Sequence, residues 1–358
     1  MCLAYVMLWQ EFTDEREPMS NHNYVTRRSF LGSMAAASVA RSVFAQAPAQ
    51  IPVLAWNHMT LSVTDIQRSL DFYQGLFGLT IAARQAQTLI LRIGNGPQFL
   101  ALGGGRPGVT PNISHFCFTV EAFDHERLVR ILGEHGVEPA EQPGISGGPL
   151  RVRIRMRGPE FGGAPNGTPE LYIGDPDGVV VQLQDTTYCG GEGVLGELCS
   201  TPEASPRRGL IAVRDINHFT AFVSDQQRSI AWYQQVFGMP TTRSQGAMPL
   251  LSVGQGHQFL ALAPTPGPPR IHHACLTMQN FQHDEVLDTL ESYGIRRRAE
   301  DAQGPVGPLE CYVTMRMPDR GGAASGTPEL YFTDPDGILI QLQDVSYCGG
   351  GGYLGDEC

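Results

Sequence analysis

Lysine is absent from this 358-residue chain, and all 25 basic residues are arginine. That absence removes Schiff-base chemistry on a lysine and the lysine of a phosphate-binding P-loop. Charge of either sign is sparse, at 17% of residues, and the basic sign is the minority, leaving a net charge of −11. A scattered, outnumbered set of arginines is not a nucleic-acid surface. The charged fraction is too low for a disordered protein, and 42% hydrophobic content suffices for one or two full cores. The composition is that of a soluble globular protein, and a homo-oligomer is compatible with it.

What the chain does have, it has twice. Asn57-His58 returns as Asn217-His218, Gln98-Phe-Leu-Ala-Leu as Gln258-Phe-Leu-Ala-Leu, His115 as His273, and Gly167-Thr-Pro-Glu-Leu-Tyr-x-x-Asp-Pro-Asp-Gly from Gly326. A repeat of roughly 160 residues is far longer than a solenoid or propeller unit, so a whole domain is duplicated.

The N-terminal stretch reads as an address. Thr26-Arg27-Arg28-Ser29-Phe30-Leu31-Gly32, a short alanine-rich run and Val43-Phe44-Ala45-Gln46-Ala47 resemble a twin-arginine export signal with small residues for cleavage. The apolar run is too short to span a bilayer. Residues 1–47 are therefore expected to be extra N-terminal residues plus signal, with Met19 as an alternative start. The expected destination is the periplasm or another exported location, reached through the twin-arginine machinery. Cysteine usage agrees with an oxidising compartment. Cys189 and Cys199 flank a Gly-rich loop, as do Cys348 and Cys358, and each pair is expected to close a disulfide. A thiolate metal site is the alternative, although a ten-residue spacing matches zinc patterns poorly. Cys117, Cys275 and Cys311 fall in strand-like segments and read as small core residues.

Each half divides again. An apolar strand over 57–63 is followed by Thr64-Asp65-Ile66-Gln67, which reads as a capping box, and by helically spaced Ile66, Leu70, Tyr73, Leu76 and Phe77 up to Gly78. Three short strands follow, near 79–84, 88–93 and 97–102. The β-α-β-β-β order recurs from Ile113, with a helix near 121–135 and strands near 150–157, 169–174 and 178–184. The expected fold is α+β, four βαβββ modules paired into two cupped-sheet domains. The first covers 52–199 (modules 52–108 and 111–188), a Pro/Ser/Arg-rich linker 200–211, and the second 212–358 (modules 212–266 and 269–347).

Four such modules, a histidine on each first strand, and Asp-Pro-Asp-Gly leading into the last strand of modules two and four resemble the vicinal oxygen chelate superfamily. That group includes glyoxalase I, bleomycin-binding proteins, methylmalonyl-CoA epimerase and type I extradiol dioxygenases. The resemblance implies one divalent metal per pair of modules, Fe²⁺ or Mn²⁺ first, with Zn²⁺, Ni²⁺ or Co²⁺ as alternatives. Carried over by position, its ligands are His58, His115 and Gln182 in one half and His218, His273 and Gln341 in the other. Gln182 and Gln341 stand where the family usually has a glutamate. An amide can donate its oxygen but no charge, so the site would keep a net +2 and favour an anionic chelating substrate. Gln98 and Gln258 are weaker ligand candidates.

Other repeated side chains complete the expectation. Tyr172 and Tyr331 resemble the substrate-side tyrosine of the extradiol signature, while its acid–base histidine is missing from Gly163-Ala-Pro165. Glu170 and Glu329 share a strand face with those tyrosines and are candidates for general base or substitute ligand. Arg157 and Arg316 are candidates for binding an anionic substrate or pairing with the glutamates. The row Arg151, Arg153, Arg155, Arg157 otherwise reads as a solvated sheet face, and His125 and His283 as exposed or capping residues at helix starts. The leading expectation is an extradiol-type dioxygenase acting on a small aromatic vicinal diol. The alternatives are a lyase or isomerase using the metal as Lewis acid, and a metal-free binding or sequestering protein.

Overall fold

A computed structural model of the protein describes residues 50–105, 108, 110–199, 201–299 and 302–358. The export-signal expectation lies outside them. Strand β1 (Val53–Val63), helix α1 (Ile66–Phe77), β2 (Ile81–Gln85), β3 (Thr88–Arg92) and β4 (Phe99–Gly104) form the first module. The second contains β5 (Asn112–Val120), α2 (His125–Glu134), β6 (Glu138–Pro139), β7 (Arg151–Arg157), β8 (Thr168–Gly174) and β9 (Val180–Asp185). The second half repeats this as β10 (Val213–Val223), α3 (Gln226–Phe237), β11 (Thr241–Gln245), β12 (Met248–Ser252) and β13 (Phe259–Pro264). It continues with β14 (Arg270–Met278), α4 (His283–Ser292), β15 (Arg296–Arg297), β16 (Glu310–Arg316), β17 (Thr327–Thr333) and β18 (Leu339–Asp344). The second module of each half thus carries one additional two-residue strand beyond the expected pattern.

Within each half the modules join into one nine-stranded mixed sheet, ordered β2-β3-β4-β1-β5-β9-β8-β7-β6 and β11-β12-β13-β10-β14-β18-β17-β16-β15. The seam is the antiparallel pairing of the two modules' first strands, β1 with β5 and β10 with β14. His58 lies opposite Cys117, and Cys117 opposite Gln182, so three cup-facing positions fall in one row across the centre of the first sheet.

Helix α1 starts one residue later than a Thr64 cap implies. Asp65 is the N-cap and accepts from the Arg68 amide, while Thr64 is engaged by the other half. Gly78 ends the helix in the left-handed region at φ 67°, where a Cβ would also meet the Arg208 carbonyl at 2.4 Å.

One apolar core runs through residues 51–342 of both halves. Trp56 is 1% exposed. Its ring lies 4.5 Å from Phe118, 5.2 Å from Phe116 and 4.6 Å from Phe219 of the second half, and its Nε1 donates to the Asn217 carbonyl. Polar clamps repeat across this junction. Gln98 donates to the Trp56 carbonyl and accepts from the Ile216 amide, while Gln258 donates to the Ile216 carbonyl and accepts from the Trp56 amide. These glutamines join the halves and are not ligands.

The Asp-Pro-Asp-Gly turns do the same. Asp175 accepts from the amides of Asp177 and Val179 in its own turn and from Tyr233 Oη of the other half, and Asp334 is held likewise, by Tyr73. Asp177 takes Ser224 and Arg228, and Asp336 takes Thr64 and Arg68. The segment read as a linker is itself docked: Glu203 pairs with Arg84, and the amides of Leu210 and Ile211 donate to the Leu76 carbonyl.

Candidate metal centre

The concave face of the first sheet bears a small cavity of about 80 Å³, bordered by His58, His115, Gln182, Glu170, Tyr172, Tyr188, Arg155 and a hydrophobic wall including Phe99 and Ile90. The seam strands supply both imidazoles. His58 Nε2 lies 3.0 Å from Gln182 Oε1, and the His58 and His115 rings meet edge to face at 5.5 Å. Gln182 also interacts with His115. In the second half His218 Nε2 lies 3.0 Å from Gln341 Oε1 and 3.4 Å from His273 Nε2. The three positions carried over in each half therefore converge.

The proton inventory makes this convergence chemically pointed. Asn57 donates its Nδ2 to the Tyr188 carbonyl, so its Oδ1, 2.7 Å from His58 Nδ1, can only accept. The His58 proton is thereby fixed on Nδ1, and Nε2 keeps its lone pair toward the Gln182 side-chain amide 3.0 Å away. Asn217, bonded to the Tyr347 carbonyl, imposes the same tautomer on His218. Protonating Nε2 as well is opposed by burial. Burial, then the neighbouring His115, pushes the His58 imidazole well below its usual range, and burial puts His115 at about 4 and His218 at about 3. Burial and the adjacent His218 and His272 lower His273 too. Gln182 Nε2 and Gln341 Nε2 are buried without partners; turned over, each amide donates that N–H to the histidine Nε2, whereas a bound cation would take the amide oxygen.

Two neutral imidazole nitrogens and an amide oxygen at these separations fit adjacent ligands of one first-row divalent ion, which sits roughly 2 Å from each donor. The third donor is an amide, and among the described residues no group of three or more His, Cys, Asp or Glu side chains converges to hold a metal.

Glu170 is not a spare ligand. Its Oε1 accepts from Arg157 Nε at 2.7 Å and Tyr188 Oη at 3.1 Å, and its Oε2 accepts from Tyr172 Oη at 3.0 Å. Glu329 is held by Arg316, Tyr347 and Tyr331 at 2.8, 3.2 and 3.4 Å. Burial raises both members of each tyrosine pair above the ordinary phenol range, so all four are neutral hydrogen-bond donors.

Of the two expectations for Arg157 and Arg316, pairing with the glutamates is the one the structure bears out, and the substrate-binding one is corrected: both side chains are fully buried, and Arg157 does not border the cavity. Arg157 bonds Glu170 and the carbonyls of Gly162 and Gly191, and Arg316 bonds Glu329 and those of Gly321 and Gly350. They are ties between the cup wall and its surrounding loops. The solvated-face reading of the arginine row holds in part: Arg151 and Arg153 are half-buried, Arg155 is exposed and borders the cavity, and Arg157 is sealed in, while of the apolar residues of that strand Val152 is buried and Ile154 and Met156 are exposed at 36% and 51%.

Tyr188 and Tyr347 went unrecognised as cup residues, although each directly precedes the first cysteine of its loop. Both loops are closed by disulfides, Cys189–Cys199 and Cys348–Cys358. Cys117, Cys275 and Cys311 are free and buried. His125 and His283 begin α2 and α4 and do not border this cavity.

Paired modules, seam-strand histidines and a concave metal-type centre define the class as a duplicated, cupped-sheet α+β protein. The Glyoxalase/Bleomycin resistance protein/Dioxygenase superfamily matches residues 55–183 and again 215–342, and the chain belongs to it. A glutathione transferase FosA from Serratia marcescens is 38% identical over 84 residues, which cover 23% of this chain and 60% of that protein. Among solved structures, the Mn(II)-bound glyoxalase from Novosphingobium aromaticivorans aligns with TM-score 0.52 at 14% identity over 82% of each chain. Homoprotocatechuate 2,3-dioxygenase from Arthrobacter globiformis aligns with TM-score 0.51 at 18% identity over 83% of this chain and 81% of that one. At such identities the structural likeness speaks for the fold.

Proposed function

We propose that the protein is an exported, divalent-metal-dependent enzyme of extradiol-dioxygenase type, with a metal centre in each half. The observation that carries this reading is the convergence in each cup of two buried, neutral imidazoles on a side-chain amide that lies 3.0 Å from the nearer ring nitrogen, a set of donors that a cation would hold together. When bound, an Fe²⁺ or Mn²⁺ ion would supply open positions for two vicinal substrate oxygens and for O₂. His58, His115 and Gln182 would hold it in the first half, and His218, His273 and Gln341 in the second.

The remaining residues of the cup orient. Tyr172 and Tyr331 give their single phenolic protons to Glu170 and Glu329 and are held beside His115 and His273, where their oxygens are left to accept from a substrate. Phe99 and Ile90 exclude water from one wall. The donor set carries no negative charge, which favours a substrate that chelates as an anion. Arg27-Arg28 and the two disulfides support export by the twin-arginine route to an oxidising compartment.

A second reading, a lyase or isomerase with the metal as Lewis acid, is favoured by the compact cavity and by the lack of a further imidazole on its wall. Oxygen uptake by Fe²⁺-loaded protein with catechol tests the choice. Uptake that disappears in His115→Ala/His273→Ala is expected. No uptake, with turnover of a 2-oxoaldehyde–thiol adduct instead, would establish the second reading. Purified protein that is folded yet takes up no divalent metal would sink both.

A further inference from the structure

We propose that the two cups take different ligands: the first a vicinal-oxygen compound bearing an additional carboxylate, bound by Arg155, and the second an uncharged aromatic one. This rests on the chelation reading above. Cross-strand register permits a position-by-position comparison. Arg155 lies opposite Glu170 and Thr314 opposite Glu329, while Arg153 lies opposite Tyr172 and Tyr312 opposite Tyr331. The donors, the glutamates and their tyrosines are the same in both halves, and the wall beside them changes from two arginines to tyrosine and threonine.

In the first cup Glu170 already has its cation. Arg157 Nε lies 2.7 Å from it, with both side chains buried. Arg155 is a second positive charge, with Nη1 3.9 Å from Glu170 Oε2, too far for a hydrogen bond. Its side chain is 49% exposed and borders the cavity together with His115 and Tyr172. Its guanidinium sits 5.5 Å from the Phe161 ring centroid, where a cation–π contact steadies it. A half-exposed guanidinium at the mouth of a cavity, beside an acid that is already neutralised, is a carboxylate fork.

In the second cup Tyr312 and Thr314 take the register positions of Arg153 and Arg155, and the cation beside Tyr312, Arg298, is 12% exposed and lies 3.6 Å from Glu310. Thr314 is exposed, and Tyr312 stacks on Tyr331 with centroids 5.2 Å apart and planes at 18°. Tyr312 also borders a groove of about 450 Å³ lined by Pro111, Asn112 and Ile113 of the first half and by Arg270 and His272, with the Arg270 guanidinium 4.8 Å from the centroid of the Phe222 ring. A stacked phenol pair with no arginine opposite it suits a neutral ring, which gains from offset stacking and needs no counter-charge.

The test is calorimetric titration of the full chain loaded with Mn²⁺, using 3,4-dihydroxybenzoate and catechol as probes, on the parent and on Arg155→Thr, Arg155→Lys and Thr314→Arg. The acid is expected to bind tightly at one site per chain. Loss of one charge-assisted carboxylate pair in Arg155→Thr is expected to weaken the acid on the order of ten-fold, with catechol unaffected and Arg155→Lys intermediate. Thr314→Arg is expected to add a second tight site for the acid. Equal binding of the acid at two sites, or an affinity indifferent to Arg155→Thr, would overturn the proposal while leaving chelation intact. If neither diol binds, chelation of diols itself fails, and the assignment of ligands to the two cups fails with it.

Discussion

At Gln182 and Gln341 the choice of one side-chain atom governs how strongly a metal is held. The amides are placed as ligands but leave the ion's charge uncompensated. Replacing both by glutamate restores a charge at the same position, and Gln182→Glu/Gln341→Glu is expected to retain Mn²⁺ at least about ten-fold more strongly against a chelator, as read by metal content after dialysis. Unchanged retention would mean that the amides do not touch the metal. Arg157 presents the opposite case. Its partner Glu170 is buried, so Arg157→Met leaves an uncompensated carboxylate and is expected to cost about 3–5 kcal/mol in denaturant unfolding. The same change at half-exposed Arg155 is expected to cost less than about 1 kcal/mol.

Among the elements, the Asp-Pro-Asp-Gly turns differ most from their sequence appearance. They sit beside the last strands of the cups, but their carboxylates face the other half. Burial raises the Asp175 carboxyl to about 7 and that of Asp334 to about 6, against an ordinary 3.8. The folded chain therefore holds these protons where the unfolded chain has released them. Their contribution to stability is complete below pH ~4 and is lost as pH rises through about 6 to 7. The buried cup histidines act in the reverse sense below their ordinary 6.5, so the difference between parent and Asp175→Asn/Asp334→Asn isolates the turns. The parent is expected to lose more melting temperature than the variant between pH 5.5 and 8, as followed by scanning calorimetry. Parallel profiles would show that the turns do not titrate in this range.

For the molecule from Ala47 onward, duplication has produced one compact unit. Each half keeps its own cup, yet the Trp56–Phe219 contact, the crossed glutamines and the two aspartate turns bind the halves through a single core. Thermal unfolding is expected to show one cooperative transition. Trp56→Ala is expected to lower stability by about 3–5 kcal/mol without splitting that transition. Two separate melting steps would indicate halves that stand alone.

The period-2 strands, the helix patterns and the repeated signposts were enough to read the module order, because they follow from local geometry and from the register of two copies. The disulfide pairs were legible from their spacing, and the histidines and glutamines became ligand candidates only through the family that the modules resemble. The destinations of Gln98, Asp177 and Arg157 were not legible. A sequence reports which face of a strand a side chain shares, but not which surface the other half brings against it. Only the tertiary structure could decide that Gln98 and Asp177 close the junction between halves, that Arg157 is sealed behind Glu170, and that Arg155 stands at the cup. The physical reason is that burial and partnering are properties of surfaces brought together by long-range packing, and they determine whether the same charged side chain ties a wall in place or remains available to a ligand.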